Sequence, residues 1–340
     1  MKKLLNILYI TRPEAYLSKD GMNVVVSIDQ QEVFRIPIIN IEGIVNFSYS
    51  GCSPGLMKLC TDNKVSLAFC TPNGKFIGRL QGSPTGNIIL RKKQFIFTEN
   101  EELTLHLSRL IIAAKIHNYR GILQRYTRDY QTTSTLNEAI DRLRIFQKHA
   151  LTASHKGTLR GTEGLAAATY FAVLPQLITQ QRETFIFKGR NKRPPKDAVN
   201  AMLSFVYTIM GNEIASALES VGLDPYNGVF HALRPGRVSL ALDILEEFRA
   251  HFCDRFVLSL INRRQVTTSD FKKQSNEGIL MTDNCRKIIL SAWQNRKKDE
   301  IIHPFTKEKT PIGLLPYVQA VLLSRYLRGE MSEYMPFLIK

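Results

Sequence analysis

The stretch "FHALRPGRVSLALDILEEFR" (230–249) places one histidine, His231, ahead of three carboxylates, Asp243, Glu246 and Glu247. The spacing predicts a helix over 239–262, with Ser239 as its cap after a Pro-Gly turn. At 100° per residue Ala241, Leu245, Phe248 and Phe252 form an apolar stripe, and the three acids gather on the other side. Like charges three and four residues apart destabilise a helix by roughly 0.2–0.5 kcal/mol per pair. No basic residue at 239, 240 or 242 offsets them. The cluster also runs against a chain with 46 Lys and Arg, 30 Asp and Glu and a net charge of +16. A divalent cation relieves the repulsion, because carboxylate oxygens and an imidazole nitrogen are ordinary ligands for Mg²⁺ or Mn²⁺. The competing reading is an amphipathic helix with a solvated acidic side.

A cation held there needs a further ligand from elsewhere. Glu163 in "RGTEGLAAATYF" (160–171) is the best candidate, since Gly161, Gly164 and Ala166 to Ala168 let another helix approach closely. Its competing role is a first-turn acid that complements the helix dipole. No P-loop, G-x-S-x-G, H-E-x-x-H or dinucleotide fingerprint occurs, so NTP hydrolysis, acyl transfer, zinc proteolysis and hydride transfer lack their parts.

These residues must be positioned by a fold of class α+β. Over 1–85, short β-branched runs ("NILYI", "NVVVSID", "VFRIPIIN", "EGIVNFSY", "VSLAFCT", "KFIGRL") alternate with turn residues such as "KDG" (19–21) and "NG" (73–74). One short helix interrupts them at "SPGLMKLCTDN" (53–63), with Ser53 as cap and Pro54 in its first turn. A polar linker is expected over 86–99, followed by a larger all-α domain over 100–340, which would carry the candidate metal site. Its helices fall at 100–128, 136–151, 162–181, 198–220, 239–262, 283–296 and 313–328. Asp197 is placed to cap the fourth of these.

Five cysteines, with no C-x-x-C spacing, indicate neither a disulfide framework nor a zinc site and fit the cytoplasm. The apolar run "GLAAATYFAVL" (164–174) falls short of the roughly 20 residues a spanning helix needs, so no membrane residence is expected. The basic balance points to a polyanionic partner.

The run from "RPPKDAVNAML" (193–203) through "GVFHALRPGRVSLALDILEEFR" to Arg263, with "RGTEGLAAATYF" and "KIHNYRGIL" (115–123) before it, resembles the CRISPR adaptation integrases. The resemblance covers essentially the whole chain. It implies an N-terminal β-domain used for homodimerisation and a helical domain with one divalent metal site. It carries the family's glutamate to Glu163, its histidine to His231 and its two acids to Asp243 and Glu246, with Mg²⁺ or Mn²⁺ held by Glu163, His231 and Glu246. Asp243 is then a further ligand or the group that orients one, and Glu247 is left to the helix surface or a salt bridge. The implied activity is a metal-dependent DNA endonuclease and integrase. It inserts captured double-stranded DNA fragments into a CRISPR array by attack of the fragment's 3′-hydroxyl on a repeat phosphodiester. The implied partners are that DNA, a second copy of the chain and a small companion subunit. Lys188, Arg190, Lys192, Arg193, Arg234 and Arg237 are placed to contact phosphates. A non-catalytic DNA-binding scaffold and a general metal-dependent nuclease are the alternative functions.

Overall fold

The computed structural model describes residues 6–71, 76–80, 88–130, 133–191, 194–275 and 277–339. The "NG" pair at 73–74, Lys192 and Arg193 lie outside them.

The β-branched runs fold into two small sheets. β1 (Ile7–Ile10), β5 (Gly43–Asn46), β6 (Ser66–Cys70) and β7 (Phe76–Leu80) form one sheet in the order β1-β5-β6-β7. In it β1, β5 and β6 are parallel and β7 is antiparallel. Parallel neighbours need a crossover, and between β5 and β6 it is α1 (Pro54–Asp62), capped by Ser53 Oγ, which accepts from the Leu56 N–H at 3.2 Å. The second sheet is an antiparallel meander of β2 (Tyr16–Asp20), β3 (Asn23–Ile28) and β4 (Gln31–Pro37). Gly21 has positive φ at its first turn, as "KDG" predicts. The second turn uses positive φ at Asp29 and Gln30, without a glycine.

The expected linker is instead mostly a helix, α2 (Ile88–Glu99), whose Leu90 and Gln94 are buried. Gln94 donates to the backbone oxygens of Asp224 and Asn227 and accepts from the Asp224 N–H, so it pins the segment leading to His231. There follow α3 (Glu101–Asp129), α4 (Ser134–Thr152), α5 (Lys156–Val173), α6 (Ala198–Ser220), α7 (Ser239–Phe248), α8 (Arg255–Asn262), α9 (Asp283–Arg296) and α10 (Leu315–Arg328). Two short hairpins, β8 (Phe271–Lys273) with β9 (Ile279–Met281) and β10 (Glu300–Ile302) with β11 (Lys309–Pro311), are set among the last helices. Their three-residue strands are too short for a visible alternation.

The helix expected over 239–262 is interrupted. Residues Arg249–Asp254 form one π-helical turn between α7 and α8, a wider turn that shifts the phase of every later side chain. α6 has the length and composition to cross a bilayer, yet 72% of its apolar window is buried within the protein. It is a core helix. All five cysteines are free, and four are buried.

One apolar cluster lies within the β-region, while the larger helical one takes in Phe47 and Cys70 from the first sheet and its edge, and polar contacts join the two regions as well. Arg79 on β7 pairs with Glu219 on α6 at 2.9 Å, and the Tyr9 hydroxyl on β1 donates to Glu213 at 3.5 Å.

Candidate metal centre and its surroundings

The site is built on α7, which has no side-chain cap. Ser239 does not cap it. Its hydroxyl instead donates to the Ala232 carbonyl at 3.1 Å, and the Leu240 N–H is satisfied by the Pro225 carbonyl. The chain from 225 to 232 therefore folds back over the start of α7, and Asp243 sits inside that fold. Fully buried, Asp243 accepts backbone N–H bonds from Val229 at 2.6 Å, Phe230 at 3.1 Å and His231 at 2.9 Å. Only glycine fits at 228, because a Cβ there would stand 2.7 Å from the Asp243 carboxylate and from Ser239.

Asp243 also binds the His231 ring, whose Nδ1 lies 2.7 Å from Asp243 Oδ1. A carboxylate cannot donate, so Nδ1 carries the proton of this bond, and Nε2 is the ring nitrogen left facing the other side. That nitrogen lies 3.8 Å from Glu246 Oε1.

Glu246 is the centre of the charge network. Its Oε2 stands 2.7 Å from the Lys115 ammonium and 2.9 Å from Arg249 Nε. Lys115, on α3, reaches across to Glu163 on α5 as well, so one ammonium bridges the two carboxylates. Burial would push the Glu246 carboxyl up, but Arg249, Lys115 and His231 outweigh it and hold the group down at about 2. Burial likewise disfavours the Lys115 ammonium, and Glu246, Tyr119 and Glu163 keep its pKa above the ordinary lysine value. Glu163 is the eighth residue of α5, well past a first turn that holds no acid. Complementing the helix dipole is therefore not its role.

The structure thus brings Glu163, His231, Asp243 and Glu246 together from α5, a loop and α7. It differs from expectation over charge balance, since Arg249, three residues on, and Lys115, from another helix, offset the acids. Lys115 opens the segment "KIHNYRGIL", and its signal was a lone lysine on an apolar helical face. Among the described residues no group of three or more His, Cys, Asp or Glu side chains stands ready as a metal cage. The donor set nonetheless fits a hard divalent cation. Two carboxylates and an imidazole nitrogen converge, oxygen and nitrogen donors of the kind Mg²⁺ and Mn²⁺ accept.

Glu247 overturns its expected place on the helix surface. It is fully buried and has no cationic partner among the described residues. It accepts from the Tyr334 hydroxyl at 2.8 Å, the Gln319 amide at 2.9 Å and the Phe337 N–H at 2.8 Å. Burial pushes its carboxyl up to about 7 against those three donors.

A cavity of about 650 Å³ opens beside the cluster, lined in part by Lys115, Glu163, Lys188, Arg190 and Arg249. Lys188 and Arg234 are exposed, and Arg237 is half-buried. Arg190 does not stand free as expected. It donates to Asn200 Oδ1 at 2.7 Å and Ser204 Oγ at 3.0 Å, and its guanidinium lies over the Tyr207 ring.

Residues 8–295 match the family model described as CRISPR associated protein Cas1. A "CRISPR-associated endonuclease Cas1 1" of Chlorobaculum tepidum is 45% identical over 340 residues, covering 99% of both chains. The fold is similar to that of a casposase bound to integration product, with TM-score 0.83, 20% identity and coverage of 96% of this chain and 92% of that one. It is also similar to part of a Cas6-RT-Cas1–Cas2 complex, with TM-score 0.82, 22% identity and coverage of 98% of this chain and 36% of that one. With a family model spanning most of its length and a relative this similar from end to end, the chain belongs to the Cas1 family of CRISPR-associated proteins.

Proposed function

We propose that the chain is a metal-dependent DNA endonuclease and integrase of CRISPR adaptation, acting in the cytoplasm on captured double-stranded DNA and on the repeat of a CRISPR array. The observation that carries this reading is the convergence of Glu163, His231 and Glu246. In this reading the three side chains hold Mg²⁺ or Mn²⁺. The cation would supply the positive charge that stabilises the phosphate as it gains negative charge in the transition state.

The protein's own part is positional. Asp243 fixes the His231 ring through Nδ1, leaving Nε2 for ligation, an arrangement that raises ligand basicity and fixes orientation. Arg249, at the start of the π-helical turn that follows α7, keeps Glu246 ionised. In the reaction a 3′-hydroxyl of the fragment forms a new P–O bond as the repeat strand's P–O bond breaks. The hydroxyl proton leaves and the departing 3′-oxygen is protonated, so the number of phosphodiester bonds is unchanged.

Lys188, Arg234 and Arg237, together with Lys192 and Arg193 outside the described residues, serve the DNA backbone. A second copy pairs through the N-terminal domain. The exposed Val33, Phe34, Ile39 and Tyr49 there support this by offering apolar surface. A small companion subunit completes the assembly. The test is strand joining into a supercoiled repeat-bearing plasmid, with and without the companion subunit and EDTA. Joined product should require Mg²⁺ or Mn²⁺ and vanish in Glu163→Ala and His231→Ala. Unchanged joining in either folded variant refutes the assignment.

A further inference from the structure

Lys115 is the least expected member of the site. Its side chain is 4% exposed, and its ammonium stands between Glu163 and Glu246, carboxylates carried by two different helices. Without it the buried Glu246 and the partly exposed Glu163 would face one another with only Arg249 on one side, and a buried ion that loses a partner costs several kcal/mol. Among the described residues no three His, Cys, Asp or Glu side chains are already gathered closely enough to cage a cation. Glu163, Asp243 and Glu246 set three carboxylates about the two cations Lys115 and Arg249.

We infer that the Lys115 ammonium is a resident stand-in for the divalent cation. It occupies the position between Glu163 and Glu246 in metal-free protein, keeps the two ligands in place, and is displaced when the metal binds. This rests on the metal-site reading above. Displacement has somewhere to go, because Lys115 also lines the adjacent cavity beside Glu163 and Lys188. A divalent cation added to the cluster makes it more positive by two charges, which favours the approach of a phosphodiester. The displaced ammonium then borders the cavity that Lys188 and Arg190 also line, so the same residue serves first the empty site and then the filled one.

Lysine and metal should therefore compete. Mn²⁺ binding, followed by electron paramagnetic resonance and calorimetry on the full-length chain, should tighten on the order of tenfold or more in Lys115→Met. Lys115→Gln, which keeps the stem and a polar head, should tighten in the same direction and guards against a folding defect in the first variant. In the wild type, amine-directed acetylation read by mass spectrometry should find Lys115 protected without metal and modified when Mg²⁺ is present. Unchanged or weaker Mn²⁺ affinity in both variants overturns the inference, as does labelling that is indifferent to Mg²⁺. If the wild type binds Mn²⁺ no better than Glu163→Gln does, the metal-site reading itself falls and takes the inference with it.

Discussion

Glu246 and Glu247 are neighbours in sequence and both are buried, yet they occupy opposite electrostatic surroundings. Glu246 lies within 3 Å of the Lys115 and Arg249 charges and is held down at about 2. Glu247 meets only the neutral donors of Tyr334, Gln319 and Phe337 and is pushed up to about 7. One step of 100° along α7 turns one acid toward α3 and α5 and the next toward the C-terminal segment. That segment is held again by Asn118 on α3, which donates to the carbonyls of Glu247 and Phe337 and accepts from the Ile339 N–H.

This relationship makes Glu247 a stability residue rather than a ligand. Glu247→Ala removes the acceptor of three buried donors, and each stranded donor costs about 1–3 kcal/mol, softened where the tail can loosen to reach water. A net loss of roughly 2–4 kcal/mol is expected in urea denaturation. Glu247→Gln, which keeps an acceptor oxygen, should lose clearly less. Equal losses in the two variants would mean that shape, and not hydrogen bonding, explains the site.

Gly228 tests the fold around Asp243. A methyl group has no room at this position, since its carbon would lie 2.7 Å from the Asp243 carboxylate and from Ser239. Gly228→Ala should cost about 1–3 kcal/mol, as overpacked sites do, and should move the loop that carries His231. Asp243→Asn leaves the space unchanged but weakens the grip on Nδ1, with an expected loss of about 10- to 100-fold in metal affinity. Thermal melts should fall for both variants, because an amide nitrogen at 243 cannot accept the buried N–H bonds that a carboxylate oxygen takes; metal affinity measured on folded protein then reads the loss of grip on Nδ1.

Much of this was legible in the sequence, for physical reasons that also explain what was not. Long apolar segments such as those of α3 and α6 announce themselves through their length, their apolar spacing and their caps. Asp197 does accept from the Asn200 N–H at 2.7 Å. The turn at Asp29 and Gln30 lacked a glycine, and α2 was hidden by its basic, polar sequence, because burial of Gln94 against the 224–227 backbone is a tertiary fact. Periodicity placed Asp243, Glu246 and Glu247 on one side of a helix but could not tell that every side of α7 is covered. Nor could it reveal Lys115, whose partners lie 48 and 131 positions further along the chain.

The surface cations should divide by a salt titration of DNA binding. Each neutralised phosphate contributes a slope of about 0.9 in log affinity against log salt. Lys188→Ala and Arg234→Ala, both at exposed positions, should weaken binding and flatten that slope by about 0.9 for each phosphate no longer neutralised. Arg190→Ala should instead destabilise the fold, because its guanidinium ties Asn200 and Ser204 together. A melting temperature unchanged in Arg190→Ala would return that residue to the DNA surface.

The π-helical turn provides a test by pH. In the folded protein, burial and the charges of Arg255, Arg296 and Arg125 depress His251 to about 3 from an ordinary 6.5. Its contribution to stability is therefore complete above pH 6.5 and is lost as the pH falls toward 3. Asp254 runs the other way. Burial outweighs the hydrogen bond from Tyr207 and the charge of Arg249 and lifts the carboxyl from 3.8 to about 7. Its contribution is complete below pH 3.8 and is lost as the pH rises through 7. Between these limits the two slopes oppose one another, each at most about 1.4 kcal/mol per pH unit. His251→Gln should leave the Asp254 slope, so that this variant gains stability relative to wild type as the pH falls from about 6.5 to about 4.5. Asp254→Asn should leave the His251 slope and lose stability relative to wild type over the same interval. Urea midpoints for the three proteins at several pH values decide it, and parallel curves would show that neither group titrates as its surroundings dictate.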